Sequence, residues 1–312
     1  MTITQLKYVL AVAEHQNFTK AAAHVFVTQP TLSMQIQKLE EELSILIFDR
    51  SKKPIELTEV GEKIVNQARN IVNESERMQD VVDQEKGFIG GDFRLGIIPT
   101  IMPTLLPMFL KNFINKYPKV HLKIEELTTA EIIIKLNDGH LDAAIAATPL
   151  VQEKIKERVL YFEPFVGYVP INHRLSSKKY LDRSDLDIND ILLLEDGHCF
   201  RDGVINICKS LKHNSATDSF QVESGSFETL IKLSNEGFGM TLLPYLHTLD
   251  IPKGEQKKYL RYFNEPSPAR EVSLLYRKSE LKMQIIDSLY DIIASIIRGA
   301  ITFQNVKIIS PL

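Results

Sequence analysis

FTKAAAHVFVTQPTLSMQIQKLEEEL (residues 18–43) contains two helical patterns separated by a short turn. The first runs through the alanines that follow Asn17 and Thr19, residues whose side chains accept hydrogen bonds from the unpaired N–H groups of a helix start. After Phe26-Val27-Thr28 the second begins with Pro30 in its first turn, where a missing N–H costs nothing. At about 100° per residue, Leu32, Ile36, Leu39 and Leu43 share one stripe that packs inward. Pro30, Thr31, Met34, Gln37 and Lys38 point the other way. A short turn followed by a helix with a small, polar outer face is the helix-turn-helix plan, in which the second helix enters a DNA major groove. A three-helix core with a merely solvated face fits the same pattern.

The flanks extend this reading. Upstream, Leu6, Val9, Leu10 and Ala13 recur at helical spacing over residues 4–15, with Thr2 or Thr4 as cap. Downstream, LIFDRSKKPIELT (46–58) reads as two short strands around Ser51-Lys52-Lys53-Pro54, a wing whose Arg50, Lys52 and Lys53 reach phosphates. From Thr58 to Lys86 one long helix follows. Its Ile64, Ala68, Ile71, Ser75, Met78 and Val82 recur in steps of four and three, the seam of a helix that pairs with its twin. Packing on its own domain is the alternative. Gly87, Gly90 and Gly91 then break the helix and form a hinge.

Length and charge bound the rest. A chain of 312 residues exceeds one typical domain. Its formal net charge is −3, and residues 1–60 hold six Lys/Arg against seven Asp/Glu, so DNA binding rests on motif and placement rather than on a basic footprint. No run approaches the roughly 18 apolar residues of a membrane span, and the first residues lack a basic, then apolar, signal pattern. A cytoplasmic protein with no membrane partner is expected. In a reducing compartment its two cysteines are not expected to form a permanent disulfide.

Past the hinge, strand patterns at 93–98, 120–127, 141–148, 191–194 and 272–277 alternate with helical patterns at 103–116, 129–138, 201–211, 226–236 and 281–298. The expectation is an α/β fold with a mostly parallel sheet and two subdomains. The chain crosses between them near Phe162–Phe165 and returns near Pro266–Arg270, leaving a cleft for ligands. The expected divisions are a winged helix-turn-helix over 1–58, a linker and dimerisation helix over 59–89, and a regulatory domain over 90–312. Subdomain I of the latter spans about 90–163 and 268–300, subdomain II about 164–267. Both cysteines lie in LEDGHCFRDGVINIC (194–208), and on spacing alone they are a redox pair, half of a metal site or two core residues. A metal site from His198, Cys199 and Cys208 lacks a fourth ligand, so no metal and no cofactor is expected there.

The order of parts resembles the LysR-type transcriptional regulators. FTKAAAHVFVTQPTLSMQIQKLEEEL and LIFDRSKKPIELTEVGEKI carry that resemblance. Within the family the chain is similar to the peroxide-sensing, OxyR-type branch, through GIIPT (96–100), LLLEDGHCFRD (192–202), Cys208 and SFETLIKLSNEGFGMTLLP (226–244). Gln37 stands where the family commonly has a basic residue, Met34 where a smaller or polar one is usual, and Ser44 replaces a usual glycine.

The resemblance implies a periplasmic-binding-protein-like regulatory domain with no enzymatic turnover. It implies promoter DNA, RNA polymerase, a second copy of the chain (a homodimer or homotetramer) and a thioredoxin- or glutaredoxin-type reductant as partners. DNA contacts fall to Gln29, Pro30, Thr31, Ser33, Met34, Gln37, Lys38, Arg50, Lys52 and Lys53. It further implies that Cys199 becomes a sulfenic acid captured by Cys208 as a disulfide, with peroxide held by Thr100 and Thr129. Arg201, the N–H groups of the following helix and His198 are expected to lower the Cys199 pKa. Thr100 and Thr129 as plain helix caps, and His198 as a hydrogen-bonding residue, are the structural alternatives. If 201–208 is helical when reduced, the cysteines stand on the order of 10–15 Å apart. A disulfide tolerates at most about 7 Å, so bond formation must unwind the helix. A regulator that responds to a metabolite in the cleft, a thiol peroxidase and a solute-binding protein are the competing functions.

Overall fold

The computed structural model describes residues 1–85, 89–208, 224–301 and 306–310. Its contacts divide the chain into two compact units, Met1–Phe88 and Ile89–Leu312.

The first unit opens with α1 (Ile3–His15), α2 (Phe18–His24) and α3 (Gln29–Leu43). Thr2 and Gln5 close a capping box on α1, and Asn17 accepts from the Thr19 and Lys20 N–H groups to start α2. Thr28 caps α3, which ends at Ser44 in the left-handed region at φ 55°. Leu32, Ile36 and Leu39 are fully buried against Val9, Val12 and Ala21. The wing is the antiparallel pair β1 (Phe48–Asp49) and β2 (Glu56–Leu57). Buried Glu40 joins it to α3, accepting from the Ile47 and Phe48 N–H groups and from Arg50 at 2.7 Å.

Helix α4 (Glu59–Glu85) corrects the expected seam. Val65, Ala68 and Val72 are buried in the head's own core, with Ile64 and Ile71 half-buried against it. Packing on its own domain therefore claims the first half. Met78, Val81 and Val82, farther along, are exposed. Of the expected hinge, Gly87 lies outside the described residues, while Gly91 has a φ of 87° where the second unit begins.

The second unit contains β3 (Gly91–Ile97), α5 (Met102–Lys116), β4 (Val120–Glu126), α6 (Thr129–Asn137), β5 (Ala143–Thr148), β6 (Ile155–Tyr168), β7 (Tyr180–Leu181), α7 (Cys199–Ile207), α8 (Phe227–Asn235), β8 (Thr241–Pro244), α9 (Tyr245–Thr248), α10 (Lys253–Tyr259), β9 (Leu260–Phe263), β10 (Ser267–Arg277), α11 (Met283–Ala300) and β11 (Val306–Ile308). In the first lobe β3 pairs in parallel with β4 and β5. In the second, β8 and β9 flank β6, and β7 pairs with β9. Long β6 and β10 run antiparallel through both lobes and join them. The sheet is mixed, not mostly parallel, because the chain crosses and returns on adjacent strands. Each lobe has its own core, one around Phe93, Phe109 and Phe113, the other around Phe165, Leu243 and Phe200.

The ILLL run (191–194) forms no strand, only a bridge from Ile191 to Met240. Three residues later Gly197, at φ 91°, turns the chain into α7. That helix starts at Cys199 rather than 201 and ends at Ile207; residues 209–211 of the expected helix lie outside the described ones. Among the described residues no helix is long and apolar enough to cross a membrane.

Candidate functional site

Cys199 opens α7 at the junction of the lobes. Phe200, Val204, Ile207 and Cys208 of the same segment belong to the second lobe's core, whereas half-buried Cys199 packs against the first. Thr129, first residue of α6 in that first lobe, places Oγ1 2.6 Å from Cys199 Sγ. Its hydroxyl is available because the cap of α6 is Thr128, which closes a box with Glu131.

Behind the sulfur lies an ion pair absent from the expected site. Arg270 on β10 donates from Nε and Nη2 to Glu163 on β6 at 2.9 and 2.7 Å, and both residues are almost fully buried. The same guanidinium donates to Thr100 Oγ1 at 2.9 Å and to its carbonyl at 3.1 Å, and stands over the Phe200 ring. Phe200 in turn packs between Phe165, tilted at 36°, and Phe227, edge-on at 85°. Thr100 thus caps no helix and touches the site through Arg270. The register of β6 and β10 sets Glu163 opposite Arg270. The signal in the sequence was one acid and one base at the two predicted crossings, but a parallel sheet gave no reason to pair them.

Two expectations about the thiol are corrected. Arg201 does not face it: Nε pairs with Asp196 at 2.7 Å and Nη1 donates to the Leu194 carbonyl at 2.9 Å, so Arg201 holds the turn before α7. Nor is the Cys199 pKa depressed. Burial pushes the thiol above its ordinary value; the Thr129 hydroxyl, the Arg270 charge and its own N–H oppose this, and Asp202 adds to it. His198 is buried, 3.4 Å from Glu195, a hydrogen-bonding position rather than a general base beside the sulfur.

Cys208 caps the other end of α7, its N–H donating to the Val204 and Ile205 carbonyls. It is buried among apolar side chains, which pushes its pKa up to about 11. Both cysteines are free thiols. Nine residues of helical rise separate them by roughly 13 Å. The carbonyls of Asn206 and Ile207 are held by Arg183 at 3.0 and 3.3 Å, and the Asn206 amide donates to the Ser310 carbonyl. Gly203 lies against Phe165, where a Cβ would come within 3.0 Å of the ring, so this poor helix former also has a packing reason.

In the head, Gln29, Pro30, Thr31, Met34, Gln37 and Lys38 are exposed on α3 and Ser33 is half-buried. Arg50 is less available than expected. It is tied to Glu40 and lies 3.4 Å from Ser33 and over the Phe18 ring. Lys52 pairs with Glu56 at 2.5 Å; among the described residues Lys38 and Lys53 have no ion-pair partner. The sequence reading missed Phe26, whose ring is 95% exposed in the turn before α3 on a residue at φ 56°.

The family model for bacterial regulatory helix-turn-helix proteins of the LysR family matches residues 3–62, and that for the LysR substrate binding domain matches 86–295. A hydrogen peroxide-inducible genes activator from Pectobacterium carotovorum subsp. carotovorum is 32% identical, over 89% of this chain and 90% of its own length. A full-length OxyR from Pseudomonas aeruginosa, a Cys-to-Asp variant, superposes with a TM-score of 0.75 at 34% identity, covering 94% of this chain and 98% of that one. A Cys-to-Ser variant of Corynebacterium glutamicum OxyR with hydrogen peroxide bound gives a TM-score of 0.65 at 28% identity, covering 98% of both. The matches extend over both units of the fold, and the chain belongs to the LysR family of bacterial transcriptional regulators.

Proposed function

We propose that this regulator binds promoter DNA through α3 and the wing and is switched by hydrogen peroxide through Cys199 and Cys208. The observation that carries the reading is the Thr129 hydroxyl 2.6 Å from a half-buried thiol at the lobe junction, backed by a buried arginine. A sulfur so placed has a donor for its anion and, in the Arg270 charge, help in stabilising the hydroxide that departs. The Cys199 thiolate attacks one peroxide oxygen, the O–O bond breaks, and hydroxide takes up a proton to leave as water. Cys208 as thiolate then attacks the Cys199 sulfenic sulfur, forming the S–S bond and releasing a second water. Peroxide gains two electrons, and two thiols become one disulfide.

The second step cannot occur across an intact α7. A disulfide needs Cα atoms within about 7 Å, roughly half the helical separation, so the helix must unwind and the Arg183 and Ser310 contacts must break. That order change is the switch, remodelling a contact between copies of the chain and hence the spacing of the heads. A homo-oligomer paired through the exposed second half of α4, RNA polymerase as the recipient of the signal, and a thioredoxin- or glutaredoxin-type reductant in the cytoplasm complete the reading. Turnover is not its purpose.

Redox mass spectrometry tests this. Low-micromolar peroxide is expected to convert both thiols to one intramolecular disulfide. Thiols left unchanged, together with a cleft ligand that raises the unfolding midpoint regardless of peroxide, would replace the reading with metabolite sensing.

A further inference from the structure

Glu14 and His15 end α1, and His24 ends α2; Gln16 in the left-handed region and the Asn17 cap turn the chain between them. The fold brings the three together. The two imidazole rings lie 4.8 Å apart, tilted by 59°, and one donor atom from each of the three residues lies within 4.8 Å of the other two. Among the described residues, neither Glu14 nor His24 has a side-chain hydrogen bond or ion pair, and His15 Nε2 is buried with no hydrogen-bond partner. A buried ring nitrogen left unpaired is costly and needs an explanation.

We propose that Glu14, His15 and His24 form a binding site for one borderline divalent transition metal ion, with zinc as the reference, which clips α1 to α2 in the head. Two imidazoles and a carboxylate are the ligand types such ions select, and three protein ligands leave a fourth position for water. Metal–ligand bonds of about 2.0–2.1 Å in a tetrahedron put donors about 3.3 Å apart. The donors must therefore close by up to about 1.5 Å, which exposed Glu14 and His24 can do by rotamer change. Both histidines sit in last turns, where helix carbonyls favour a cation. The clip fixes α2 just before the Val25-Phe26-Val27 turn that launches α3, so metal occupancy stiffens the element that sets the recognition helix.

The test is calorimetric titration of the full reduced chain with zinc, repeated with His24→Asn, His15→Asn and Glu14→Gln. One ion per chain is expected, with affinity falling about 10–100-fold for each histidine variant, at least the loss seen when a supporting partner of a metal ligand is removed. His121→Asn, in the second unit, should change nothing. Cobalt(II) is the spectroscopic probe, since thiolate ligation gives an intense charge-transfer band that nitrogen and oxygen ligation does not. His24 is exposed, so its variant keeps the fold even if His15→Asn does not. Zinc binding that is absent, unchanged in His24→Asn, or accompanied by the thiolate band overturns the site. Peroxide oxidation of Cys199, followed in the same His24 variant, is expected to stay intact, which separates this outcome from failure of the redox reading.

Discussion

The two ends of α7 carry the same functional group in opposite settings. At its start Cys199 is half-buried between lobes, with a hydroxyl at its sulfur and an arginine charge within reach. At its end Cys208 is sunk in one lobe's apolar core with its thiol pushed up to about 11. In the proposed function the contrast divides the roles: the first thiol is equipped to meet an oxidant, the second is stored as an inert hydrophobe until the helix between them opens.

The sharpest way to break that contrast is substitution of the thiols. Cys199→Ser is expected to abolish oxidation entirely, whereas Cys208→Ser should leave a sulfenic acid at Cys199 that a dimedone probe traps. Oxidation of Cys208 in the Cys199 variant would invert the assignment. Next comes Arg270→Met, which strands buried Glu163 and should cost about 3–5 kcal/mol in urea unfolding; an unchanged midpoint would mean the pair is solvated. The pH dependence follows. Because both thiols titrate above their ordinary value, the oxidation rate should rise about tenfold per pH unit, up to at least about pH 8.5. Stability from the buried Cys208 thiol is complete below that ordinary value and lost as pH rises toward 11. A rate plateau near neutrality would show that Cys199 is already a thiolate.

Smaller effects test each end separately. Thr129→Val removes the donor at Cys199 and should slow peroxide oxidation by about tenfold, the worth of one hydrogen bond to a charged group. Arg183→Ala releases the last carbonyls of α7 and leaves Cys199 untouched. It weakens only the reduced, helical state, by about 0.5–1.5 kcal/mol, so the disulfide reduction potential should fall by about 10–30 mV. A shift of opposite sign would mean that α7 stays helical when oxidised.

What could be read in the sequence was whatever rests on local periodicity and capping. The stripe of Leu32, Ile36 and Leu39, the Asn17 cap and the long run of α4 need no tertiary information. The strands β3 and β4 are legible in the same way in their alternation of apolar with polar or charged residues, and β5 in its apolar run. The site was legible in its thiols and Thr129, but not in its electrostatics. Arg201 is near Cys199 in sequence, yet Asp196 is nearer in space; Arg270 is 71 residues away and arrives through the β6–β10 register. Which face of α4 meets its own head was equally out of reach, because an a/d seam and a single-domain apolar stripe overlap at Ile64, Ala68 and Ile71.

Glu40 has a consequence of another kind. Because one buried carboxylate binds the wing's backbone and Arg50 to α3, the helix and the wing that we propose to read bases and grip phosphates form a single gauge of fixed width. A duplex whose groove does not match that width must itself bend or narrow to fit. Discrimination among promoters then includes how easily a sequence deforms at base pairs no side chain touches.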